Sequence, residues 1–244
     1  TMAGIPGEVL SREWISYGET KSELLREFKD HPLVGRSKYI CWLDADEVFI
    51  TNKNDPLSYP TKDDAVKLYE YLESTPGDVF MVTTLYDHIE YQRWQIARNN
   101  QLYKWRLPYQ EYFVGTESNI MVNIPLQLYN LARHEGNSSR DPEITKKRIE
   151  MAERWLEDQG VEDEGYPRMI FYLAEAYQSI DVKRSMELYE KRVLLKGYEE
   201  ERYESLLKLG KLTDRDDLRL YFLTAAQDIN PLRLEAYYDH FMYY

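Results

Sequence analysis

The pattern of apolar residues changes near residue 140 of this 244-residue chain, and that change limits the fold more than any other feature. Before residue 140, short apolar runs alternate with turn-rich stretches, which is typical of strands joined by loops. The predicted strands are 39–43, 79–84 and 119–124. Between the first two, residues 62–74 place apolar side chains at three- and four-residue spacing, which predicts an amphipathic helix. Strand, helix and strand in this order favour an α/β domain over residues 1–140.

After residue 140 the apolar spacing is helical throughout. Asp141 followed by Pro142 is a typical helix start, and one apolar face continues from there to Gly160. Five further helices are predicted at 167–179, 182–195, 199–209, 216–228 and 231–242. Pairs of these helices recur at roughly the spacing of tetratricopeptide units, although the register is loose. We therefore expect residues 141–244 to form an all-α domain of helical hairpins with tetratricopeptide-like character.

The charge balance and the cysteine content limit the possible partners. The chain has 31 Lys and Arg against 43 Asp and Glu, a net charge of −12. Such a surface repels phosphate backbones and anionic lipids, so neither nucleic-acid binding nor membrane-surface binding is expected. No stretch is long and apolar enough to predict a transmembrane segment. The single cysteine, Cys41, lies in an apolar run, which predicts a small buried side chain, a reducing compartment and a cytoplasmic protein.

The first predicted strand leads directly into the acidic run Asp44-Ala45-Asp46-Glu47. If the chain stays extended there, Asp44 and Asp46 project to the same side. Two carboxylates so close repel each other unless a cation lies between them, and hard oxygen ligands favour magnesium, calcium or manganese. Such a cation could hold the pyrophosphate of a substrate. The alternative is a solvated helix cap, which is the simplest interpretation of the similar run Asp214-Arg215-Asp216.

Four segments, in the same order, resemble motifs of family 2 glycosyltransferases, inverting enzymes with the GT-A fold that use nucleotide-sugar donors. Trp42-Leu43-Asp44-Ala45-Asp46-Glu47 resembles their metal-binding motif. Trp14-Ile15-Ser16-Tyr17-Gly18-Glu19-Thr20-Lys21 is similar to their Trp-x-x-Phe-Gly-x-x-Arg stretch, with Tyr17 in place of Phe and Lys21 in place of Arg. Arg98-Asn99 and 103–112 are similar to their Arg-Asn, Tyr-x-Trp and His-Glu elements, with Gln110 in place of His. The later His of the family falls on His134.

This resemblance implies a GT-A-like (Rossmann-like) mixed sheet domain followed by a helical region. An appended helical region is common among the family members that share these motifs. It implies that Asp46, Asp44 and His134 hold Mn²⁺ or Mg²⁺, and that Glu111 is the base that removes the proton of the acceptor hydroxyl. Aromatic neighbours of Glu111 would desolvate its carboxylate and raise its pKa toward neutrality. The implied reaction moves a sugar from a nucleotide-sugar donor to a carbohydrate or glycoprotein acceptor, and the cation stabilises the departing nucleoside diphosphate.

Four further residues are candidates for binding the two substrates. Lys21 and Arg98 are candidate phosphate contacts in the donor site, together with Asp44, because an acidic chain must attract a pyrophosphate through local cations. An ordinary surface ion pair is the alternative for each of the two cations. Trp105 and Tyr109 offer aromatic faces on which the sugar ring of the acceptor could stack.

The length of chain before Asp44 predicts that part of the donor-binding half is absent. Family members place a strand, a helix and a strand before the segment matched by Trp14. Only 43 residues precede Asp44, whereas one βαβ unit takes roughly 30 or more. This expectation leaves a second hypothesis open: a catalytically weak or silent scaffold whose helical hairpins recruit a protein partner. A third is a nucleotidyltransferase or another phosphate-handling enzyme that uses the same acids.

Overall fold

The computed structural model describes residues 11, 13–32, 35–117, 119–133 and 143–243. The chain divides into two compact units. The first comprises Thr1–Arg106 and Tyr112–Asp141, and the second comprises Leu107–Glu111 and Pro142–Tyr244. The short segment Leu107–Glu111 thus groups with the later helices, although it lies within the sequence of the first unit.

The described residues of the first unit form a mixed sheet with two helices and a separate hairpin. In chain order the elements are α1 (Tyr17–Asp30), β1 (Tyr39–Cys41), β2 (Glu47–Ile50), α2 (Lys62–Ser74), β3 (Val79–Tyr86), β4 (Ile89–Arg98), β5 (Tyr103–Arg106), β6 (Tyr112–Gly115), β7 (Met121–Asn123) and β8 (Tyr129–Ala132). The sheet order is β1-β4-β3-β8-β2, with β7 also paired to β3, and β5 and β6 form a two-stranded sheet. Strand β3 runs parallel to β7 and β8, and the other pairs are antiparallel. This arrangement agrees with the predicted α/β class.

The core of the first unit follows the two-residue periodicity of the central strands. Phe80 and Val82 of β3 face one side of the sheet, where they join an apolar cluster with Leu72 of α2 and Ile96 of β4. Side chains that point the other way join a second cluster, which comprises Val79, Ala97, Tyr103, Trp105 and Phe113. Because successive strand residues alternate between faces, the same strands support α2 on one side and the β5–β6 hairpin on the other.

Helix α2, which the spacing predicts over 62–74, is confirmed at Lys62–Ser74. Thr61 and Asp64 form a capping box at its start, in which each side chain accepts the backbone N–H of the other residue. At its end, the Arg98 guanidinium donates to the carbonyl oxygens of Leu72 at 2.6 Å and Thr75 at 2.9 Å. Arg98 ends β4, so this side chain fastens the helix to the sheet and satisfies carbonyls that the helix leaves unpaired.

Two features of the first unit differ from the sequence-based expectations. Cys41, predicted to be buried, is exposed, because β1 is an edge strand and the apolar contacts of this run are made by Ile40 and Trp42 on the opposite face. Helix α1, which the apolar pattern did not predict, begins after Ser16, whose hydroxyl accepts the N–H of Glu19 at 3.2 Å.

The described residues of the second unit form six helices and the segment Leu107–Glu111. The helices are α3 (Ile144–Gln159), α4 (Tyr166–Tyr177), α5 (Val182–Leu194), α6 (Glu199–Leu212), α7 (Asp216–Ile229) and α8 (Glu235–Tyr243). Each packs against the next along the chain. The predicted all-helical region is confirmed, with α8 starting four residues later than expected and the predicted start at Asp141-Pro142 outside the described residues. In the part of the chain that the structure describes, no helix has the length and apolar character needed to cross a membrane.

A buried ion pair joins α5 to α6. The Arg192 side chain is fully buried and lies 3.0 Å from the Glu201 carboxylate. It also donates to the carbonyl oxygens of Leu195 and Tyr198 in the connecting turn. Glu201 accepts from Arg168 of α4 as well, at 2.6 Å. A single carboxylate therefore links three consecutive helices, and its charge is compensated by two guanidinium groups.

Replacing Arg98 with Lys tests the fastening of α2. The lysine keeps the positive charge, but one ammonium group cannot reach the separate oxygens that the planar guanidinium contacts. We expect the free energy of unfolding of the first unit to fall by about 2 kcal/mol. Urea unfolding followed by tryptophan fluorescence measures this change, since four of the five tryptophans belong to that unit. Arg26→Lys, at an exposed position of α1, is the control and should change little; equal stability of the Arg98→Lys variant would contradict the fastening role.

Candidate functional site

The acidic run after β1 forms a tight turn. The Glu47 backbone N–H donates to the Asp44 carbonyl oxygen at 3.0 Å, and the Glu47 carboxylate accepts the Asp44 backbone N–H at 3.0 Å. The chain is therefore not extended here, which was the condition for Asp44 and Asp46 to project to the same side, because Glu47 closes the turn with both its backbone N–H and its side chain. Asp44 and Asp46 are half-buried in this turn, whereas the run Asp214-Arg215-Asp216 at the start of α7 is exposed. The predicted solvation of that run is confirmed, but the residue at the N-cap is Arg215, which makes no side-chain cap hydrogen bond.

Arg93 of β4 joins the two acids at the ends of the turn. Its guanidinium contacts the Glu47 carboxylate and lies 3.0 Å from Oδ2 of Asp44. The Glu47 side chain is only 4% exposed, so its charge would be costly without this partner. Burial lowers the pKa of Arg93, but the charges of Glu47 and Asp44 outweigh burial and raise that pKa above its ordinary value. Arg93 thus stays charged and fixes the shape of the turn.

Lys21 of α1 is the second cation on Asp44. Its Nζ lies 2.6 Å from Oδ1 of Asp44 and 4.9 Å from the centre of the Trp105 ring. Burial would raise the pKa of the Asp44 carboxyl, but the positive charges of Lys21 and Arg93 prevail and hold it below its usual range. Each oxygen of Asp44 therefore faces its own cation.

Hydrogen bonds between α1 and β5 set the position of Lys21. The Ser22 hydroxyl accepts the backbone N–H of Trp105 at 2.8 Å and donates to the Gly18 carbonyl at 2.7 Å. The Trp105 ring packs edge-on against Trp42, with ring centres 5.4 Å apart. Gly18 and Ser22 are both buried, and their small size lets the helix lie close to the strand. The segments of Lys21, Asp44 and Trp105, which are far apart in the sequence, meet at this point.

The predicted metal ligands are only partly within the described residues. Asp46 is half-buried, and its carbonyl accepts the Arg133 backbone N–H at 3.0 Å. His134 lies outside the described residues. Among the residues that are described, no group of three or more His, Cys, Asp and Glu side chains is arranged to hold a metal ion. Lys21 and Arg93 compensate the charge of Asp44. Binding of Mn²⁺ or Mg²⁺ by Asp44, Asp46 and His134 stays a prediction.

The remaining predicted residues fall into different environments. Arg98 contacts α2 as described above, and it also donates to the Gly77 carbonyl at 2.6 Å, which favours a structural role over a phosphate contact. Trp105 is buried in the first unit, where it packs in the apolar cluster. Glu111 and Tyr109 belong to the second unit, in a segment where Gln110 has a left-handed backbone with φ of 50°. The roles of Glu111 as base and Tyr109 as sugar contact stay predictions.

Arg93 was missed by the sequence reasoning. Its two acidic partners lie 46 and 49 residues earlier in the chain, and no local spacing indicates such a pair. The only available signal was an arginine in the middle of an otherwise strand-like run that ends in buried residues. The role of Glu47 could have been predicted more readily. An acidic side chain three residues after Asp44 has the spacing needed to close a turn by accepting a backbone N–H.

Comparison with known protein families and with curated proteins finds no match to this chain.

Replacing Glu47 with Gln tests the role of its charge in the turn. The amide preserves the size of the side chain but removes the ionised acceptor that Arg93 contacts, so we expect the free energy of unfolding to fall by about 2 kcal/mol. Urea unfolding followed by tryptophan fluorescence gives the value. The matched control is Glu90→Gln, also paired with a cation in this unit but exposed, which should change little. Equal effects of the two substitutions would show that the buried charge does not hold the turn.

The lowered pKa of Asp44 predicts how stability depends on pH. A carboxyl whose pKa is lower in the folded state stabilises the protein at pH values above the unfolded pKa of about 3.9. That contribution is lost as the pH falls through the lower, folded pKa. Wild type should therefore be more stable than Asp44→Asn at pH 7, and the difference should vanish in strong acid. Unfolding curves for both proteins across this pH range measure it, and a difference that does not vary with pH would contradict the assignment.

Proposed function

We propose that the chain carries out inverting glycosyl transfer from a nucleotide-sugar donor to an acceptor hydroxyl, with a GT-A-like first unit. The supporting observation is the convergence of three resembling segments at one place: Lys21 lies 2.6 Å from Asp44 and 4.9 Å from the centre of the Trp105 ring. A cation, a carboxylate turn and an aromatic ring in one cluster suit a charged substrate that also carries a sugar.

The proposed reaction is a single displacement. The acceptor oxygen attacks the anomeric carbon of the donor while the bond from that carbon to the diphosphate oxygen breaks, and its electron pair leaves with the diphosphate. Glu111 receives the proton of the acceptor hydroxyl. Lys21 is the candidate contact for the diphosphate, because an anion with more charge than one carboxylate can compete with Asp44 for the ammonium group. Arg93 and Glu47 hold the turn in place during this exchange.

A divalent cation, Mn²⁺ or Mg²⁺, belongs to the proposal as a separate part. When bound, such an ion would neutralise charge on the leaving diphosphate. Asp46 and Asp44 are the described residues proposed to contact it. The contribution of Lys21 does not require the ion, so nucleotide binding with and without metal distinguishes the two parts.

Donor binding is tested by isothermal titration of the protein with UDP-, GDP- and dTDP-sugars, each with and without Mn²⁺. We expect at least one nucleotide to bind, and Lys21→Gln to weaken it by about tenfold or more, since a charge-assisted contact to phosphate is lost. Arg26→Gln, exposed on the same helix, is the matched control and should bind like wild type. Absence of binding by every nucleotide would overturn the proposal, as would equal affinity of the Lys21→Gln and wild-type proteins.

The role of Glu111 is tested by replacing it with Gln. The amide cannot accept the acceptor proton, so we expect transfer to fall by about a hundredfold or more while nucleotide affinity is preserved. Product formation with the donor identified above and a panel of sugar acceptors measures the rate. Glu164→Gln, another acid of the second unit, controls for the loss of one negative charge. An active Glu111→Gln protein would remove this residue as the base.

A scaffold without catalysis is the second candidate. It is favoured by the compensation of Asp44 by Lys21 and Arg93, because a metal ion would have to compete with both cations for this carboxylate. It is also favoured by several exposed apolar side chains at the end of the helical unit: Leu232, Leu234 and Phe241. Manganese titration separates the two candidates, because a scaffold should show no binding that depends on Asp44 and Asp46.

A further inference from the structure

A cleft in the second unit combines unpaired hydrogen-bond donors with an acidic rim. It has a volume of about 160 Å³ and lies beside α3 and α4, and all of its lining residues belong to the second unit. The residues that matter for binding are Tyr109 and Gln110 from the segment Leu107–Glu111, Arg148 from α3, and Tyr172 and Glu175 from α4. None of them takes part in the donor-binding cluster proposed above.

Two donors at this cleft have no partner within the described part of the chain. The Tyr109 side chain is almost fully buried, at 4% exposure, yet its hydroxyl makes no hydrogen bond there. The same holds for the buried Nε–H of Arg148, whose guanidinium lies 5.9 Å from the centre of the Tyr109 ring. Burial raises the pKa of Tyr109, so the hydroxyl stays protonated and able to donate. Buried polar groups are normally paired, and two adjacent exceptions indicate a missing acceptor.

The missing acceptor is best supplied by an anion. Across the described residues, Arg148 has no carboxylate within ion-pair distance, whereas Arg168 and Arg192 of the same unit both pair with Glu201. A carboxylate has two oxygens, so it can accept from the tyrosine hydroxyl and from the guanidinium at once.

The exposed rim of the cleft carries a hydrogen-bond acceptor, in contrast to the donors Tyr109 and Arg148. Glu175 lies there, and its pKa is raised, first because neighbouring groups remove water from it and then because of the charges of Glu204 and Glu201, against the opposing effect of Lys208. A carboxylate accepts hydrogen bonds, so it suits hydroxyl groups on a ligand. The Tyr172 ring, 6.4 Å from the Tyr109 ring between centres, adds an aromatic face.

The backbone next to Tyr109 holds that residue in position. Leu107 and Gln110 both have left-handed conformations, with φ of 69° and 50°. Neither is glycine, and this conformation costs about 1 kcal/mol or more for such residues. The surrounding structure therefore maintains a strained segment that carries the unpaired tyrosine into the cleft.

We propose that this cleft binds a small hydroxycarboxylate of sugar-acid type. Its carboxylate accepts from the Tyr109 hydroxyl and the Arg148 guanidinium, its hydroxyl groups donate to Glu175, and the apolar face of its ring packs on Tyr172. The residues proposed to hold this ligand include none of Lys21, Asp44 and Trp105, so its binding is tested separately from donor binding. Tyr109 is also the predicted sugar contact of the acceptor, and Glu111, the proposed base, lies in the same segment.

The test is isothermal titration of the full chain with D-glucuronate, with D-glucose and acetate as comparison ligands. Glucose lacks the carboxylate and acetate lacks the hydroxyl groups, so we expect each to bind at least about tenfold more weakly than glucuronate. Arg148→Gln should weaken glucuronate by a similar factor. Arg154→Gln, exposed on the same helix, is the matched control and should leave the affinity unchanged.

Tyr109→Phe keeps the test informative if the arginine variant folds poorly. It removes only an oxygen that has no partner in the described structure, so the thermal stability of the free protein should not fall. The rise in melting temperature with glucuronate should shrink in this variant. The proposal is overturned if wild type does not bind glucuronate at millimolar concentration, if glucose or acetate binds equally well, or if Tyr109→Phe and Arg148→Gln both bind it as wild type does.

Discussion

The ion pairs around Asp44 are the interaction on which the site in the first unit depends. Arg93 pairs with both Asp44 and Glu47, and the Glu47 carboxylate accepts the Asp44 backbone N–H. Lys21 pairs with the other carboxylate oxygen of Asp44. Two acids and two cations compensate each other in a chain whose net charge is −12. Without Arg93, the nearly buried Glu47 carboxylate would have to be desolvated alone, and the turn that places Asp44 beside α1 would lose its support.

This network matters for position more than for stability. Buried ion pairs gain little net free energy, because desolvation offsets much of their attraction. They do fix geometry, and here they hold Lys21 against the Trp105 ring while hydrogen bonds from Ser22 fasten α1 to β5. Because the same two cations compensate Asp44, the charge of this carboxylate does not by itself require a metal ion. A metal at this turn would have to compete with cations that the chain itself supplies.

Much of the fold could be predicted from local sequence patterns. Helix α2 was predictable because its apolar spacing begins directly after Thr61, a good capping residue, and the helices of the second unit were predictable from the same periodicity. Helix α1 was not, because its buried residues are Gly18 and Ser22 and hydrogen bonds fasten it to β5. The exposure of Cys41 depends on β1 being an edge strand, which is a property of the sheet and not of its own sequence.

The sites could be predicted only in part from the sequence, because some of their residues are brought together by long-range contacts. The motif order indicated Lys21, Asp44 and Trp105, but Arg93, which holds the turn, lies outside the resembling segments, five residues before Arg98 at the end of the same strand. The most direct test of the central claim is a crystal structure of the chain grown with UDP and Mn²⁺. The proposal predicts diphosphate oxygens within ion-pair distance of Lys21, with Arg93 still on Glu47. A structure in which the nucleotide binds elsewhere and Lys21 stays on Asp44 would contradict it.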